Sequence, residues 1–208
     1  MLENVLHLLR ILDENIPLFL LASSLFGAGI KYIDDAFDKR IFDKKKAILI
    51  APLVGLLGML IVGANQFSAT LSLSVAIGVY SKKKIDNPVH LLSFSLIVIA
   101  FLLVFMVMDG EIMILPLIML IAASLVDEAG NDISDYDKKL KKSKLFRHRF
   151  FVYFFGKRCT LKVVLLYMVL INIFPMYILV AIILFDETYT IVEMYSDSIL
   201  NSKSDLGM

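Results

Sequence analysis

The sequence predicts an all-α membrane protein: a polytopic helical bundle of about six transmembrane helices, preceded by an amphipathic N-terminal helix. Of the 208 residues, 59% are hydrophobic, and the mean hydropathy is +0.80, whereas soluble domains are usually about 45–50% apolar. Long apolar runs alternate with short charged connections, as expected for helices that cross a bilayer and turn back. The single cysteine, Cys159, excludes an intrachain disulfide.

Residues 1–15 form the predicted amphipathic helix. Apolar residues recur at helical spacing, namely Leu2, Val5, Leu6, Leu9 and Leu12. His7 and Arg10 stand between them, so one face is apolar and the other is polar. Such a helix lies at the membrane interface or packs on the bundle. The segment lacks the basic start and small-residue cleavage pattern of a signal peptide.

The transmembrane domain is predicted over residues 16–185, and its spans follow from the lengths of the apolar runs. The expected spans are 16–33, 47–64, 67–80, 89–107, 112–126 and 161–185. The third and fifth contain 14 and 15 residues, fewer than the roughly 20 that usually cross a bilayer. Pro175 is expected to kink the sixth span. Residues 186–208 are predicted to form an extracytoplasmic C-terminal segment.

The distribution of basic residues predicts the membrane orientation. Apart from Arg10 and Lys203, every Lys and Arg lies in residues 31–46, 82–84 or 138–162. By the positive-inside rule these three segments are cytoplasmic. Basic residues at a membrane surface also attract anionic lipid or phosphate. No nucleic-acid-binding module accompanies them, so we expect no nucleic-acid partner.

Acidic side chains cluster where the fifth span ends, in the stretch LVDEAGNDISDYD over residues 125–137. Glu128, Asp132 and Asp135 are spaced i, i+4 and i+7, so a helix presents them on one face, with Asn131 beside them. Unpaired carboxylates so close together repel one another, and Mg²⁺ or Mn²⁺ would relieve that repulsion. The alternative is a solvated acidic helix end that is balanced by the lysines following it.

A second acidic face is predicted at the end of the first span, within residues 31–46. Asp34 and Asp38 are spaced i, i+4, and Asp35 lies three residues before Asp38. Since both acidic ends are predicted to be cytoplasmic, we expect them to face each other across one cavity. Further candidate residues lie beside this acidic end of the first span, or at and after the end of the third span: Lys39, Arg40, Tyr80, Lys83, Lys84 and His90.

These motifs resemble those of the UbiA superfamily of intramembrane prenyltransferases. Asp34, Asp35 and Asp38 resemble the family's N-D-x-x-D motif, and Glu128 and Asp132, followed by Asp135, resemble its D-x-x-x-D motif. The middle cytoplasmic loop of the family often has Tyr-Ser followed by lysine, as in the stretch YSKKK beginning at Tyr80. Family members usually have more spans than the six expected here.

The resemblance implies a membrane-embedded, Mg²⁺-dependent prenyltransferase. The six acids would hold Mg²⁺ or Mn²⁺, which binds an isoprenyl diphosphate or another lipid diphosphate, and the prenyl tail would lie in an apolar tunnel. Substrate contacts are expected from Lys39, Arg40, Tyr80 and Asn131. Catalytic roles in the departure of pyrophosphate are expected from Lys83, Lys84 and His90. A homo-oligomer, in which a second copy supplies further helices, is compatible with the pattern.

Two other functions use the same carboxylates. A non-catalytic membrane subunit would pair its acids with the basic loops. A divalent-cation transporter or sensor would need ionisable residues within its spans, whereas the acids here cluster at span ends. The sequence contains no Gly-x-Ser-x-Gly, no His-Glu-x-x-His and no Gly-rich phosphate loop.

Overall fold

A computed structural model describes residues 2–81, 95, 98–99, 102, 113–139, 150, 153–155 and 157–205; side chains are described for all of these except 2–6, 81, 132–139 and 203–205. The described residues form helices and no strand, which confirms the all-α class. Seven helices have both ends among them: α1 Leu2–Glu14, α2 Ile16–Phe37, α3 Lys44–Ala64, α4 Gln66–Ser81, α5 Ile114–Lys139, α6 Cys159–Leu170 and α7 Met176–Asp205.

Three helical segments are long and apolar enough to cross a membrane: Ile16–Phe37, Lys44–Ala64 and Ile114–Asn131. Two further apolar helical segments, Gln66–Tyr80 and Cys159–Leu170, are shorter. These lengths fit a membrane protein but do not confirm six spans. The predicted fourth span, residues 89–107, lies mostly outside the described residues.

The N-terminal helix and the start of α2 follow the local sequence signals. In α1, Leu9 and Leu12 are buried whereas Arg10 is exposed, as predicted for an amphipathic helix. The side chain of Asn15 accepts a hydrogen bond from the backbone N–H of Leu18 at 3.1 Å and so caps α2. Pro17 lies in the first turn of α2, where a helix needs no N–H from it.

Asn65 ends α3 and begins α4. Its extended backbone interrupts the helix, and its side-chain oxygen accepts the backbone N–H of Ser68 at 2.9 Å. The side-chain nitrogen donates to Asp13 at 2.8 Å and to the hydroxyl of Tyr177 at 3.0 Å. One amide therefore ties the α3–α4 turn to α1 and α7.

The prediction of one long sixth span is wrong. The chain leaves the helical path after Leu170, and Asn172 adopts a left-handed conformation with φ 59°. The backbone N–H groups of Ile173 and Phe174 both donate to the carbonyl of Met168, which satisfies an acceptor that the helix end leaves open. Pro175 then prevents α6 from continuing. The apolar run therefore forms two helices rather than one kinked helix.

Ion pairs show that α6 and α7 are antiparallel. The ammonium of Lys162, near the start of α6, lies 2.7 Å from Asp186 in the middle of α7. Lys157, just before α6, lies 3.4 Å from Glu187. Residues 159–205 therefore form a helical hairpin with its turn at residues 171–175.

Helices α2 and α7 run parallel although they are distant in the chain. The rings of Phe19 and Tyr177 meet edge to face at 5.5 Å, and Lys31 lies 3.3 Å from Glu193 further along both helices. Between these contacts, a β-carbon on Gly27 would collide with the carbonyl oxygen of Phe185. The absence of a side chain at Gly27 therefore permits this close approach.

The parallel packing affects the predicted topology. Helix α7 continues to Asp205, and its second half lies beside Lys31 of α2 and Lys39 in the turn that follows α2. The charge pattern predicts that this end of α2 is cytoplasmic. An external position for residues 186–208 is therefore incompatible with that prediction.

Buried apolar side chains from most of the helices form one large cluster, with its most deeply buried members at Leu120, Leu165, Met168 and Ile178. A smaller cluster joins α2 to α3 through Ile33, Ala36, Ala47, Ala51 and Val54. Small residues in the second cluster let the two backbones approach closely, as in membrane helix pairs. Both clusters hold α2 in place between its neighbours.

Candidate functional site

An elongated apolar cavity of about 330 Å³ lies among α2, α3, α4 and α7. Phe19 and Asp34 both line it, so it follows α2 for about 22 Å at a rise of about 1.5 Å per residue. Between these two residues the lining is mostly aliphatic and aromatic, with Phe26, Val75 and Phe185 among its members. The cavity therefore suits a long apolar group.

Three polar side chains line the cavity at the Asp34 end: Asp34 from α2, Arg158 from the turn before α6, and Tyr189 from α7. The hydroxyl of Tyr189 donates to Oδ2 of Asp34 at 3.0 Å. Nη2 of Arg158 lies 3.2 Å from Oε1 of Glu128. One carboxylate and one guanidinium therefore border the same end of an apolar space.

Arg158 is held in an unusual conformation. Its φ of 48° lies in the left-handed region, which non-glycine residues seldom adopt. The conformation lets the chain turn into α6 while the guanidinium reaches the cavity and Glu128. Strained backbone of this kind is more frequent at functional sites.

Nearby carboxylates and burial determine the charge states of Arg158 and Tyr189 at the Asp34 end of the cavity. Burial lowers the pKa of Arg158, but Glu128 and Asp186 outweigh that effect, so the pKa lies above its ordinary value. Burial, and then the Asp34 carboxylate, raise the pKa of Tyr189. Arg158 is therefore a permanent cation, and the Tyr189 phenol remains a hydrogen-bond donor.

Asp35 faces α7 and is 1% exposed. Its Oδ1 lies 3.3 Å from the ammonium groups of both Lys31 and Lys39, and the hydroxyl of Ser196 donates to Oδ2. Lys31 also contacts Glu193, as described above. These groups form a network of alternating charge around the buried Asp35, which is compensated by Lys31 of its own helix, by Lys39 in the turn that follows and by Ser196 of α7.

Glu128 and Asp127 have different partners although they are adjacent. Glu128 is 2% exposed and pairs with Arg158 as described. Asp127 accepts the backbone N–H groups of Thr160 at 2.9 Å and Leu161 at 2.7 Å. Arg158, the N-cap residue of α6, makes no side-chain cap, so Asp127 caps that helix from α5.

The described donors do not fit a metal site built from the two acidic motifs. Within the part of the chain that the structure describes, no three His, Cys, Asp or Glu side chains group around a possible metal position. Asp35 already contacts the buried Lys31, and Glu128 contacts the partly exposed Arg158. The side chains of Asp132 and Asp135 lie outside the described residues.

The remaining predicted residues are dispersed. Asp38 is exposed at the end of α2, and Arg40 is exposed in the following turn with φ 54°. Tyr80 is exposed near the end of α4, and Asn131 is half-buried in α5. Lys39 lies 2.6 Å from Asp197, on the α7 side. Lys83, Lys84 and His90 lie outside the described residues.

Sequence analysis missed the contributions of Arg158 and α7. Arg158 belongs to the basic segment 138–162, whose charge pattern indicates membrane orientation but does not distinguish a functional arginine. Tyr189, Glu193 and Ser196 follow the spacing i, i+4 and i+7, which places three polar groups on one face of a helix. That spacing was a usable signal, but residues 186–208 were assigned to the opposite side of the membrane.

Comparison with known proteins adds no family to these observations. No family model matches the chain, and no curated protein or solved structure matches it. The likeness to the UbiA superfamily therefore stays a prediction from the acidic motifs. The functional proposals rest on the cavity and on the charged groups at its end.

Proposed function

We propose that this chain is a multi-pass membrane protein that binds an amphiphile, a molecule with an apolar chain and a charged head, in the cavity beside α2. One observation carries the proposal: Asp34 and Arg158 lie at one end of a lining that is otherwise mostly apolar. Ligand sites commonly combine apolar walls with a few fixed polar groups. The apolar chain would lie towards Phe19 and the head beside Arg158.

Two serines in the lining, Ser23 and Ser68, are compatible with an apolar ligand. The hydroxyl of Ser23 donates to the carbonyl of Phe19 at 2.9 Å, and that of Ser68 donates to the carbonyl of Asn65 at 2.9 Å. Each donor is thus satisfied within its own helix or helix start. Contact with a hydrocarbon chain would leave neither of these donors unpaired.

The ion pairs of Asp35 and Glu128 support amphiphile binding better than metal-dependent chemistry. A metal held by Asp35 and Glu128 would draw these carboxylates away from Lys31 and Arg158. The Asp35–Lys31 pair is buried, and breaking a buried pair typically costs about 3–5 kcal/mol because a charge is left uncompensated. The arrangement therefore favours the non-catalytic alternative, in which acids pair with basic residues. On the charge-based orientation, the head would lie towards the cytoplasm.

Filling the cavity tests the proposal. Ala76 lines the cavity, and Ala122 is exposed on α5. Native mass spectrometry of detergent-purified protein, with a single-chain lysophospholipid added, should detect the complex for wild type and for Ala122→Phe. Ala76→Phe should lose it because the ring occupies the space of the chain. Equal binding by all three proteins would refute the proposal.

Prenyl transfer is a second proposal, and the position of Asp34 favours it. This residue belongs to the first predicted motif and lines the same cavity as Arg158, so the bound amphiphile could be an isoprenyl diphosphate. Incorporation of labelled geranylgeranyl diphosphate should be measured in membranes with and without Mg²⁺. Mg²⁺-dependent counts that are lost in Asp34→Asn but kept in Asp43→Asn support transfer, whereas background counts throughout exclude it.

A further inference from the structure

We infer that the cavity selects its amphiphile by the length of the apolar chain, and that Phe19 sets this length by closing the end opposite Arg158. The inference rests on the proposed amphiphile binding and names the property of the chain that is recognised. Its basis is a contrast between the two ends of the cavity, since the lining is buried around Phe19 and the polar lining at the other end is partly exposed.

The Phe19 end of the cavity is enclosed by residues of four helices, each of which is buried. They are Phe19 of α2, Ile61 of α3, Ser68 of α4 and Ile178 of α7, with exposed fractions of 2, 8, 3 and 1%. At the opposite end Asp34 and Tyr189 are half-buried, and the side chain of Arg158 is 34% exposed. A chain that enters beside Arg158 therefore meets a closed end at Phe19.

The ring of Phe19 is held in place by contacts from three other parts of the bundle. It meets the ring of Tyr177 edge to face at 5.5 Å. The hydroxyl of Tyr177 accepts a hydrogen bond from the amide of Asn65 at 3.0 Å, and the same amide donates to Asp13 at 2.8 Å. Helix α7, the α3–α4 turn and α1 thus fix the ring in one position. Close-packed interiors of this kind resist displacement, so Phe19 forms a rigid end wall.

The distance from this end wall to the head position limits the length of the chain. Phe19 and Asp34 are separated by about 22 Å along α2. A fully extended backbone advances about 1.2 Å per bond, and an alkyl chain has a similar geometry, so about 18 carbons would span the cavity from end to end. Because the head occupies part of the Asp34 end, we expect the best-fitting chain to have roughly 12–16 carbons.

A chain of the wrong length binds less well in either direction. A shorter chain leaves part of the cavity empty, so the lining loses packing contacts there. A longer chain has to displace the Phe19 ring or draw its head away from the Asp34 end. Forcing extra methylenes into a packed apolar site typically corresponds to a loss of roughly 5- to 150-fold in binding.

Native mass spectrometry of the detergent-purified full-length protein tests this selection, because bound chains are distinguished by their mass. The probe is an equimolar mixture of lysophosphatidylcholines with even-numbered chains from about 8 to about 22 carbons, a series that brackets the expected length. The bound population should have a single peak at roughly 12–16 carbons. Chains about four carbons longer than the peak should be bound at least about tenfold less.

Replacing the end wall should change the preferred length. Phe19→Ala should move the peak to longer chains by about two carbons or more, because the space of the ring becomes part of the cavity. Phe67→Ala is the matched control. Phe67 lies in the same turn as Ser68 but packs edge to face on Phe174 at 5.4 Å, so its loss should keep the wild-type peak.

A second variant tests the inference in the opposite direction and does not depend on the folding of Phe19→Ala. Ala181 lines the cavity one turn of α7 beyond Ile178, towards the Asp34 end. Ala181→Leu should therefore move the peak to shorter chains. Thermal unfolding of each variant identifies those that remain folded.

The outcomes separate this inference from the proposed function. If lysolipids bind wild type without a preferred length, or if folded Phe19→Ala keeps the wild-type peak, length selection by Phe19 is refuted while amphiphile binding stands. If Phe19→Ala does not fold, an unchanged peak in Ala181→Leu refutes it instead. An equal shift in Phe67→Ala would overturn the assignment of the end wall to Phe19. If no chain binds and Ala76→Phe matches wild type, amphiphile binding itself fails.

Discussion

Replacing Asp35 with Asn should destabilise the protein, because its carboxylate is the shared partner of two lysines. Asp35 is 1% exposed, and its Oδ1 lies 3.3 Å from both Lys31 and Lys39. Removing one partner of a buried ion pair typically costs about 3–5 kcal/mol. Glu193 still contacts Lys31, and Asn keeps an acceptor for Ser196, so we expect the lower limit, about 3 kcal/mol.

Thermal unfolding in detergent with EDTA measures the effect. For a chain of this size, each kcal/mol shifts Tm by about 2–4 °C, so Tm should fall by about 6–12 °C. Glu14→Gln is the control, because Glu14 is exposed and is not one of the predicted metal ligands, and an exposed substitution usually changes stability by no more than about 0.5 kcal/mol. A metal-binding role for Asp35 predicts the opposite sign, because without metal the Asn variant loses a repelling carboxylate. A rise in Tm would therefore refute the ion-pair interpretation.

Three further predictions concern helix packing and the single thiol. Asp127→Ala should cost at least about 2 kcal/mol in unfolding free energy, since two backbone N–H groups of α6 lose their acceptor; an unchanged Tm would show that this cap is dispensable. Gly27→Ala should destabilise by about 1–3 kcal/mol, because its β-carbon collides with the Phe185 carbonyl, and wild-type stability would contradict the close packing of α2 and α7. Burial raises the pKa of the Cys159 thiol, so maleimide labelling near pH 7.5 should be slower than for a free thiol and accelerate towards pH 9 and above. Fast labelling that does not change with pH would contradict this.

The helices were predictable because their signals are local. Apolar run length and the capping residues Asn15 and Asp43 mark where α2 and α3 begin. The contacts of the acidic residues Asp34 and Asp35 with other helices were not predictable from local signals. Asp34 and Asp35 are adjacent, so a helix points them about 100° apart. The i, i+4 spacing within α2 places Lys31 beside Asp35. The position of α7 determines that Asp35 also contacts Ser196 while Asp34 borders the cavity.

The turn between α6 and α7 was missed for a physical reason. Residues 171–174, with sequence Ile-Asn-Ile-Phe, continue the apolar run on both sides of the turn. Hydropathy therefore does not separate the two helices, and an internal proline indicates either a kink or a break. The break depends on Asn172 in the left-handed region and on the hydrogen bonds to Met168, which no apolar pattern reveals. Missing this turn also placed the polar face of α7 on the wrong side of the bundle relative to α2.

The pairing of α2 with α7 has a consequence for biosynthesis. Lys31 and Glu193 are 162 positions apart, so at about 5–20 residues per second the ribosome needs roughly 8–30 s between them. During that interval Asp35, one turn away, supplies the compensating charge within α2. The contacts between α2 and α7 therefore form only after α7 has been inserted beside a helix that was synthesised much earlier. A chain truncated before α7 would leave Lys31 without Glu193, with Asp35 as its described partner.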